Sequence, residues 1–149
     1  RLTMANYYCH IRTNYFHVKD PDAFRKFMGR VYGTEDGIEL WEERDADGQL
    51  AFGFGTEGGI SGLCDDVEEE YPNTDDASYD LFIDGLQEHL CDDDAVIIME
   101  AGHEKLNYVV GIVTVVTKTN CVNLDISDLA VAKAGELLGD PEWTTRCDY

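Results

Sequence analysis

Carboxylate side chains recur at every fourth residue in one segment of this chain, and that repeat constrains how the segment can fold. On an α-helix each step of four residues advances about 6 Å, so these carboxylates would form a single acidic stripe. The apolar residues between them recur at the i, i+3, i+4, i+7 spacing of a helix side that faces a core. The segment from Asp65 to Asp94 is therefore predicted to contain one amphipathic helix. Its acidic stripe consists of Asp76, Asp80, Asp84, Glu88 and Asp92, and its apolar side of Tyr79, Phe82, Ile83, Leu86 and Leu90.

The net charge of the chain is concentrated around this stripe. Of its 149 residues, 31 are Asp or Glu and 11 are Lys or Arg, which gives a formal net charge of −20. Eighteen of the acidic residues lie between Asp45 and Glu104, where the sequence has no Lys or Arg. Like charges four residues apart destabilise a helix by roughly a few tenths of a kcal/mol per pair, so local stability does not explain the stripe. Solvated surfaces usually mix both signs of charge, which favours a binding role for this segment.

A surface with this much negative charge predicts which partners can approach it. It repels nucleic acid and anionic membranes, and it speeds encounters with positively charged surfaces. We therefore expect a positively charged partner, with no direct contact to nucleic acid or membranes. The sequence leaves the oligomeric state open, including a homodimer. The predicted partner-binding residues are the acidic stripe and the acidic residues that flank it, namely Asp65, Asp66, Glu68, Glu69, Glu70, Asp93 and Asp94.

Signals in the first part of the chain predict three strands and one helix. Aromatic and β-branched residues favour an opening strand whose alternation changes phase near Thr13, where a bulge is expected. Asp20 then offers a helix N-cap, with Pro21 at the first helical position. A turn signal between two alternating runs predicts a β-hairpin. These signals place a strand at 7–18, a helix from Asp20 to Gly33, and hairpin strands at 38–44 and 49–55.

The part of the chain after the acidic helix predicts further strands and a closing helix. Two apolar runs indicate buried strands, and a third, shorter run is compatible with an edge strand. Ser127 is expected to cap the closing helix, which Gly139 and Pro141 end. The strands lie at 95–100, 108–118 and 121–124, and the closing helix is expected to turn Ala130, Ala134, Leu137 and Leu138 inward.

The predicted element order, β-α-β-β-α-β-β-α, begins with the split β-α-β pattern of ferredoxin-like folds. We therefore predict a single α+β domain over residues 4–149, in which an antiparallel-rich sheet carries helices on one face. Its ferredoxin-like β-α-β-β-α-β core is followed by an extra strand and a C-terminal helix. Residues 1–3 precede Met4 and are expected to be a vector remnant. No apolar run approaches the roughly 20 residues that span a membrane and no signal-peptide pattern opens the chain, so we expect a cytoplasmic protein.

Motifs for metal or catalytic chemistry are incomplete in this sequence. Asp45, Asp47 and Gly48 begin like a calcium loop, but the later ligand positions do not follow in register. The run that starts at His103 begins like the zincin motif but has Asn107 where the second histidine must lie. We therefore predict no catalytic residues, no metal ligands and no cofactor.

Two segments and the acidic middle of the chain together carry a resemblance to a known class of protein. The segments are Arg12-Thr13-Asn14-Tyr15-Phe16 and Gly102-His103-Glu104-Lys105-Leu106-Asn107-Tyr108-Val109-Val110-Gly111. They resemble small acidic proteins of phages and mobile elements, the setting of anti-CRISPR and antirestriction inhibitors, many of which mimic DNA in charge distribution. The resemblance implies a non-enzymatic inhibitor of a bacterial defence nuclease or CRISPR-Cas effector. Such an inhibitor would use an acidic DNA-mimicking surface to occupy a basic nucleic-acid-binding groove in the host cytosol.

Two other functional classes stay open on the sequence. One is a small-molecule-binding or enzymatic ferredoxin-like domain, with His103 and Glu104 near a pocket. The other is a regulatory domain whose exterior is merely acidic. A continuous negative ridge favours mimicry, whereas a deep pocket favours the first of these alternatives.

Overall fold

The structure is a computed structural model that describes residues 7–64 and 77–146. The expected vector remnant at 1–3 lies outside this part of the chain. The described residues form eight strands and three helices, which confirms the α+β prediction. In chain order they are β1 (Tyr8–Thr13), α1 (Pro21–Met28), β2 (Val31–Gly33), β3 (Glu39–Arg44), β4 (Leu50–Glu57), β5 (Ile60–Leu63), α2 (Tyr79–His89), β6 (Val96–Glu104), β7 (Tyr108–Val116), β8 (Cys121–Asp125) and α3 (Ile126–Leu138).

Six of the strands form one sheet in the order β3-β4-β1-β6-β7-β8, and every neighbouring pair in it is antiparallel. The predicted antiparallel-rich sheet is therefore confirmed. The predicted hairpin is β3 and β4, whose register runs from Arg44 opposite Leu50 to Glu39 opposite Gly55. Strands β2 and β5, which the sequence did not predict, form a separate two-stranded sheet.

β1 ends at Thr13, earlier than the predicted strand, and Asn14 lies where the alternation changes phase. Asn14 Nδ2 donates to the Ala95 carbonyl at 3.1 Å, and its Oδ1 accepts from the Ile97 amide at 2.8 Å. These side-chain bonds continue the contact with β6 past Thr13, beside a backbone bond from the Asn14 amide to the Ile97 carbonyl at 3.4 Å. Phe16 then makes a single bridge to Phe52 of β4.

Helices α1 and α2 pack on one face of the six-stranded sheet through a core rich in phenylalanine. Phe24 of α1 is fully buried, and its ring centroid lies 5.1 Å from that of Phe52 and 5.6 Å from that of Phe16. Phe82 and Leu86 of α2 are buried in the same cluster. The apolar spacing of both helices therefore matches the face that they bury.

The sequence predicts the start of α1 correctly but not its end. Asp20 caps α1 as predicted, since its Oδ1 accepts from the amides of Asp22 and Ala23 at 3.1 and 3.2 Å. The predicted end at Gly33 is wrong, because α1 ends at Met28 and Val31–Gly33 pairs with β5 instead. The acidic stripe is also shorter than predicted, because α2 ends at His89 and Asp92 follows the helix.

The closing helix α3 differs most from its prediction. Its N-cap is Asp125, whose Oδ1 accepts from the Ser127 amide at 2.8 Å, and not Ser127 itself. The predicted inward side is wrong: Leu137 and Leu138 are 78% and 64% exposed, Ala130 is exposed and Ala134 is only half-buried. The physical reason is that α3 contacts mainly β7 and β8 at the edge of the sheet and does not join the layer that α1 and α2 form.

Close packing between α1 and α2 depends on Gly85, because a Cβ at this position would overlap the Phe27 ring. Overpacking of this kind costs typically about 1–3 kcal/mol, more than the roughly 1 kcal/mol that alanine gains over glycine inside a helix. Gly85→Ala is therefore expected to lower the free energy of unfolding by about 1 kcal/mol or more in urea titrations. Gly37→Ala is the matched control, because nothing lies within 4 Å of a Cβ there. Equal stability of the two variants would contradict this account of the contact.

Candidate acidic interface

Helix α2 carries three carboxylates of the acidic stripe on its solvent side. Asp80, Asp84 and Glu88 are exposed, and each is one helical turn from the next. Ser78 begins the helix, since its Oγ accepts from the Leu81 amide at 3.2 Å. The opposite side of α2 is anchored in the core, so the three carboxylates are held on a fixed backbone. We call Asp80, Asp84 and Glu88 the α2 stripe.

The carboxylates of the α2 stripe form no ion pair in the part of the chain that the structure describes. None of the ion pairs among residues 7–64 and 77–146 includes one of its carboxylates. Fixed, exposed carboxylates without an internal partner can accept hydrogen bonds from the cations of another molecule.

A groove of about 450 Å³ separates the α2 stripe from α1. Asp84 and Glu88 line it from α2, and Lys26 of α1 and Arg30, which follows α1, line its other side with the apolar Phe27. The sequence separates these charges by more than fifty residues, but the fold brings both signs to one groove. Two cations therefore border the negative surface of α2 on this side, and the acidic surface does not continue onto α1.

The three acidic residues that follow α2 have different environments. Asp93 is exposed, whereas Asp92 Oδ1 lies 3.6 Å from the Nζ atoms of both Lys19 and Lys118. Asp94 is half-buried and accepts from the His17 amide at 2.7 Å. Of the predicted residues in this segment, Asp92 and Asp94 thus have internal partners, and only Asp93 resembles the α2 stripe.

The imidazole of His17 joins two carboxylates that are distant in sequence. Its Nε2 lies 2.7 Å from Asp45 Oδ2, and its Nδ1 lies 2.8 Å from Asp94 Oδ2. Hydrogen bonds to Asp45 and then to Asp94 raise the pKa of His17. The same imidazole, with the Gln49 amide, lowers the pKa of Asp45. Burial opposes ionisation of Asp94, but hydrogen bonds from the amides of His17 and Ala95 outweigh it and lower the pKa of Asp94.

These shifts predict how stability depends on pH. The raised pKa of His17 stabilises the fold fully below the ordinary value of 6.5, and this contribution is lost as the pH rises through the raised value. The lowered pKa values of Asp45 and Asp94 contribute above 3.8, and that contribution is lost as the pH falls. The stability difference between the wild type and His17→Gln is therefore expected to be largest between these limits and to shrink on both sides. Urea titrations from pH 3 to pH 9 measure it, and a constant difference would contradict the bridge.

The remaining predicted partner-binding residues lie outside the described chain. They are Asp65, Asp66, Glu68, Glu69, Glu70 and Asp76.

The His103 and Glu104 pair, which the alternative function would use, does not lie in one pocket. His103 lines a shallow depression on the sheet, where its ring centroid lies 6.0 Å from that of Tyr8. Glu104, the last residue of β6, does not line this depression. Within the described ranges no group of three or more metal-ligating side chains is found.

A separate cleft of about 490 Å³ lies between α2, β7 and β8. Its floor includes Ile98 and Ile112, and its rim includes Glu100 and Asp125. Asp128 lines the cleft as well, and all three carboxylates have partners: Glu100 accepts from the Tyr7 hydroxyl at 2.8 Å, Asp125 caps α3, and Asp128 accepts from Arg146 at 2.6 Å. The cleft can admit a small molecule, but its acidic groups serve the fold.

Comparison with known proteins gives no match to a family model, to a curated protein or to a solved structure. In the described part of the chain, none of the helices has the length and apolar character needed to cross a membrane.

Proposed function

We propose that this protein is a non-enzymatic inhibitor that mimics the charge of DNA. Its target would be a bacterial defence nuclease or a CRISPR-Cas effector, and it would act in the cytoplasm of the bacterial host. The observation that carries the proposal is the α2 stripe: three exposed carboxylates at one-turn intervals, without an ion pair in the described chain.

The physical basis is the chemistry of grooves that bind DNA. Such grooves place Lys and Arg against phosphates, and neutralising phosphates releases condensed counterions. Carboxylates held on a helix that is anchored in a core can meet the same cations, and their backbone pays little ordering cost on binding. Phe82 and Leu86 are almost completely buried, so they hold α2 in place while its other side binds.

Lys26 adds a constraint on the orientation of the target. Because it lines the groove next to Asp84 and Glu88, a target cation that entered from the α1 side would meet like charge. We infer that the target approaches α2 from its side away from α1.

We also propose that the core of the fold is ferredoxin-like. Support comes from the position of β1 between β4 and β6, with β3 outside β4, and from the helices α1 and α2 in the two crossover connections. Strands β2, β5, β7 and β8 and helix α3 would then be additions to that core.

Competition with DNA tests the proposed function. DNA-binding proteins from a bacterial lysate are passed over the immobilised protein, and the bound fraction is eluted with duplex DNA and identified by mass spectrometry. A nuclease or effector is expected in the eluate, and the protein is expected to inhibit its binding to DNA. Because charge complementarity is screened by salt, association should slow as the Debye length falls from about 10 Å at 0.1 M to about 3 Å at 1 M. Retention that duplex DNA does not reverse would count against mimicry.

A further inference from the structure

The side of the sheet that faces away from α1 and α2 presents exposed apolar side chains on β6, β7 and β8. Strand pairing arranges them in rows, because residues directly opposite each other in an antiparallel pair share a face. There are two such rows, and each extends across β6, β7 and β8. We call the two rows the apolar face: one consists of Ile97, Val115 and Val122, and the next of Met99, Val113 and Leu124.

The apolar face is free of charge in a chain that has 31 acidic residues. The next paired positions on the same side, Ala101 and Gly111, are uncharged as well, and on β1 the residue opposite Met99 is Arg12, so a cation and not a carboxylate borders this row. Two copies that met through the α2 stripes would bring carboxylates together and repel each other. Two copies that met through the apolar face would bring no carboxylate against another. The distribution of charge therefore favours this face as the contact between copies.

The size of the apolar face also suits a contact between copies. Met99 and Val122 are 51% and 50% exposed, and Val109 and Ile126 continue the apolar surface at its margin. Together these residues expose on the order of 600 Å², the upper end of what a monomer typically leaves in one patch and close to the ~800 Å² that each partner contributes to a standard interface.

We propose that the apolar face binds the apolar face of a second copy, so that the protein is a two-fold symmetric homodimer. A two-fold contact requires a self-complementary surface, and two rows of similar aliphatic side chains provide one. The two sheets would stack face to face at about 10 Å, the usual distance between packed sheets. The α2 stripe lies on the other side of each sheet, so the dimer presents two acidic interfaces, and the proposal does not depend on the proposed function.

Sedimentation equilibrium over a concentration series tests the dimer. The wild type is expected at twice the 16.7 kDa mass of the chain. Val122→Glu places a charge in the contact, opposite the apolar Val115, and is expected to raise the dissociation constant about a hundredfold or more. Leu81→Glu is the matched control, because Leu81 is 39% exposed on α2, beyond the opposite face of the sheet. It adds the same charge and is expected to leave the mass unchanged.

The effect of salt concentration distinguishes dimerisation from target binding. Because each copy carries a net charge of −20, screening should strengthen dimerisation, whereas it should weaken binding to a basic target. Circular dichroism establishes that both variants are folded before their masses are compared. A wild type that is monomeric at 100 µM and 0.5 M salt, or a Val122→Glu variant that dimerises as tightly as wild type, would overturn the proposal. Neither result would bear on inhibition, which is measured with the nuclease.

Discussion

Phe24→Ala is expected to lower the free energy of unfolding by about 3–5 kcal/mol, the largest loss of stability that we expect from one substitution in this protein. Phe24 is fully buried and its ring lies against those of Phe16, Phe27 and Phe52, with centroid distances of 5.6, 6.1 and 5.1 Å. The truncation removes the transfer free energy of a phenyl group and leaves a cavity that these rings can fill only in part. A domain typically has about 5–15 kcal/mol of stability in total, so the variant is expected to be close to unfolding.

Urea titration followed by circular dichroism measures this loss. Leu137→Ala is the control, because Leu137 lies on α3 and is 78% exposed. Its truncation removes an apolar side chain that is mostly in water, so we expect a change within about 0.5 kcal/mol. If Leu137→Ala were as destabilising as Phe24→Ala, the closing helix would be packed in a way that differs from the structure.

The sequence predicted best those features that depend on residues close together in the chain. The cap at Asp20 and the turn at Asp45 both arise from side chains that bond to amides within four residues. The buried side of α2 follows from the spacing of Phe82, Ile83 and Leu86, because a helix fixes which side chains share a face. Local chemistry of this kind is fully present in the sequence.

The features that the sequence missed depend on long-range pairing. Val31–Gly33 continues the apolar stripe of α1, but pairing with β5, about thirty residues later, makes it a strand. His17 and Asp94 are 77 residues apart, so no local spacing indicates their bond. The leucines at the end of α3 have the spacing of a buried side, but the helix begins at the sheet edge and leaves them exposed. Apolar periodicity therefore predicted the helix but not what would cover it.

The candidate interface shows the same division. The sequence predicted the α2 stripe, because residues four apart lie on the same side of a helix and the apolar residues between them mark the opposite side as buried. It could not predict that Lys19 and Lys118 approach Asp92, or that Lys26 and Arg30 line the groove beside Asp84. A count of charges along the chain overstates the acidic surface wherever the fold brings in cations from other elements.

Reversal of the α2 stripe is expected to abolish target binding and leave the fold intact. In the variant with Asp80, Asp84 and Glu88 all changed to Lys, the net charge changes from −20 to −14 and each attractive pair with a target cation becomes repulsive. Close charge pairs across interfaces couple by about 1.5–7 kcal/mol, so we expect the dissociation constant to rise at least about a hundredfold. All three side chains are exposed, so the core of α2 is preserved. Lysine in the first turn of a helix costs only about 0.3–1 kcal/mol.

A control with the same total charge separates the position of the carboxylates from their number. Asp36, Asp47 and Glu142 are exposed and lie outside α2, and their joint change to Lys also gives −14. Binding of the nuclease to labelled DNA is measured by fluorescence anisotropy against wild type and both triple variants. Wild type and the control variant are expected to displace the DNA, and the α2 variant is expected not to. If both triple variants lose inhibition equally, the net negative charge of the protein attracts the target, and the position of the α2 stripe does not matter. If the α2 variant inhibits as well as wild type, the stripe is a solvated helix face and the mimicry proposal is wrong.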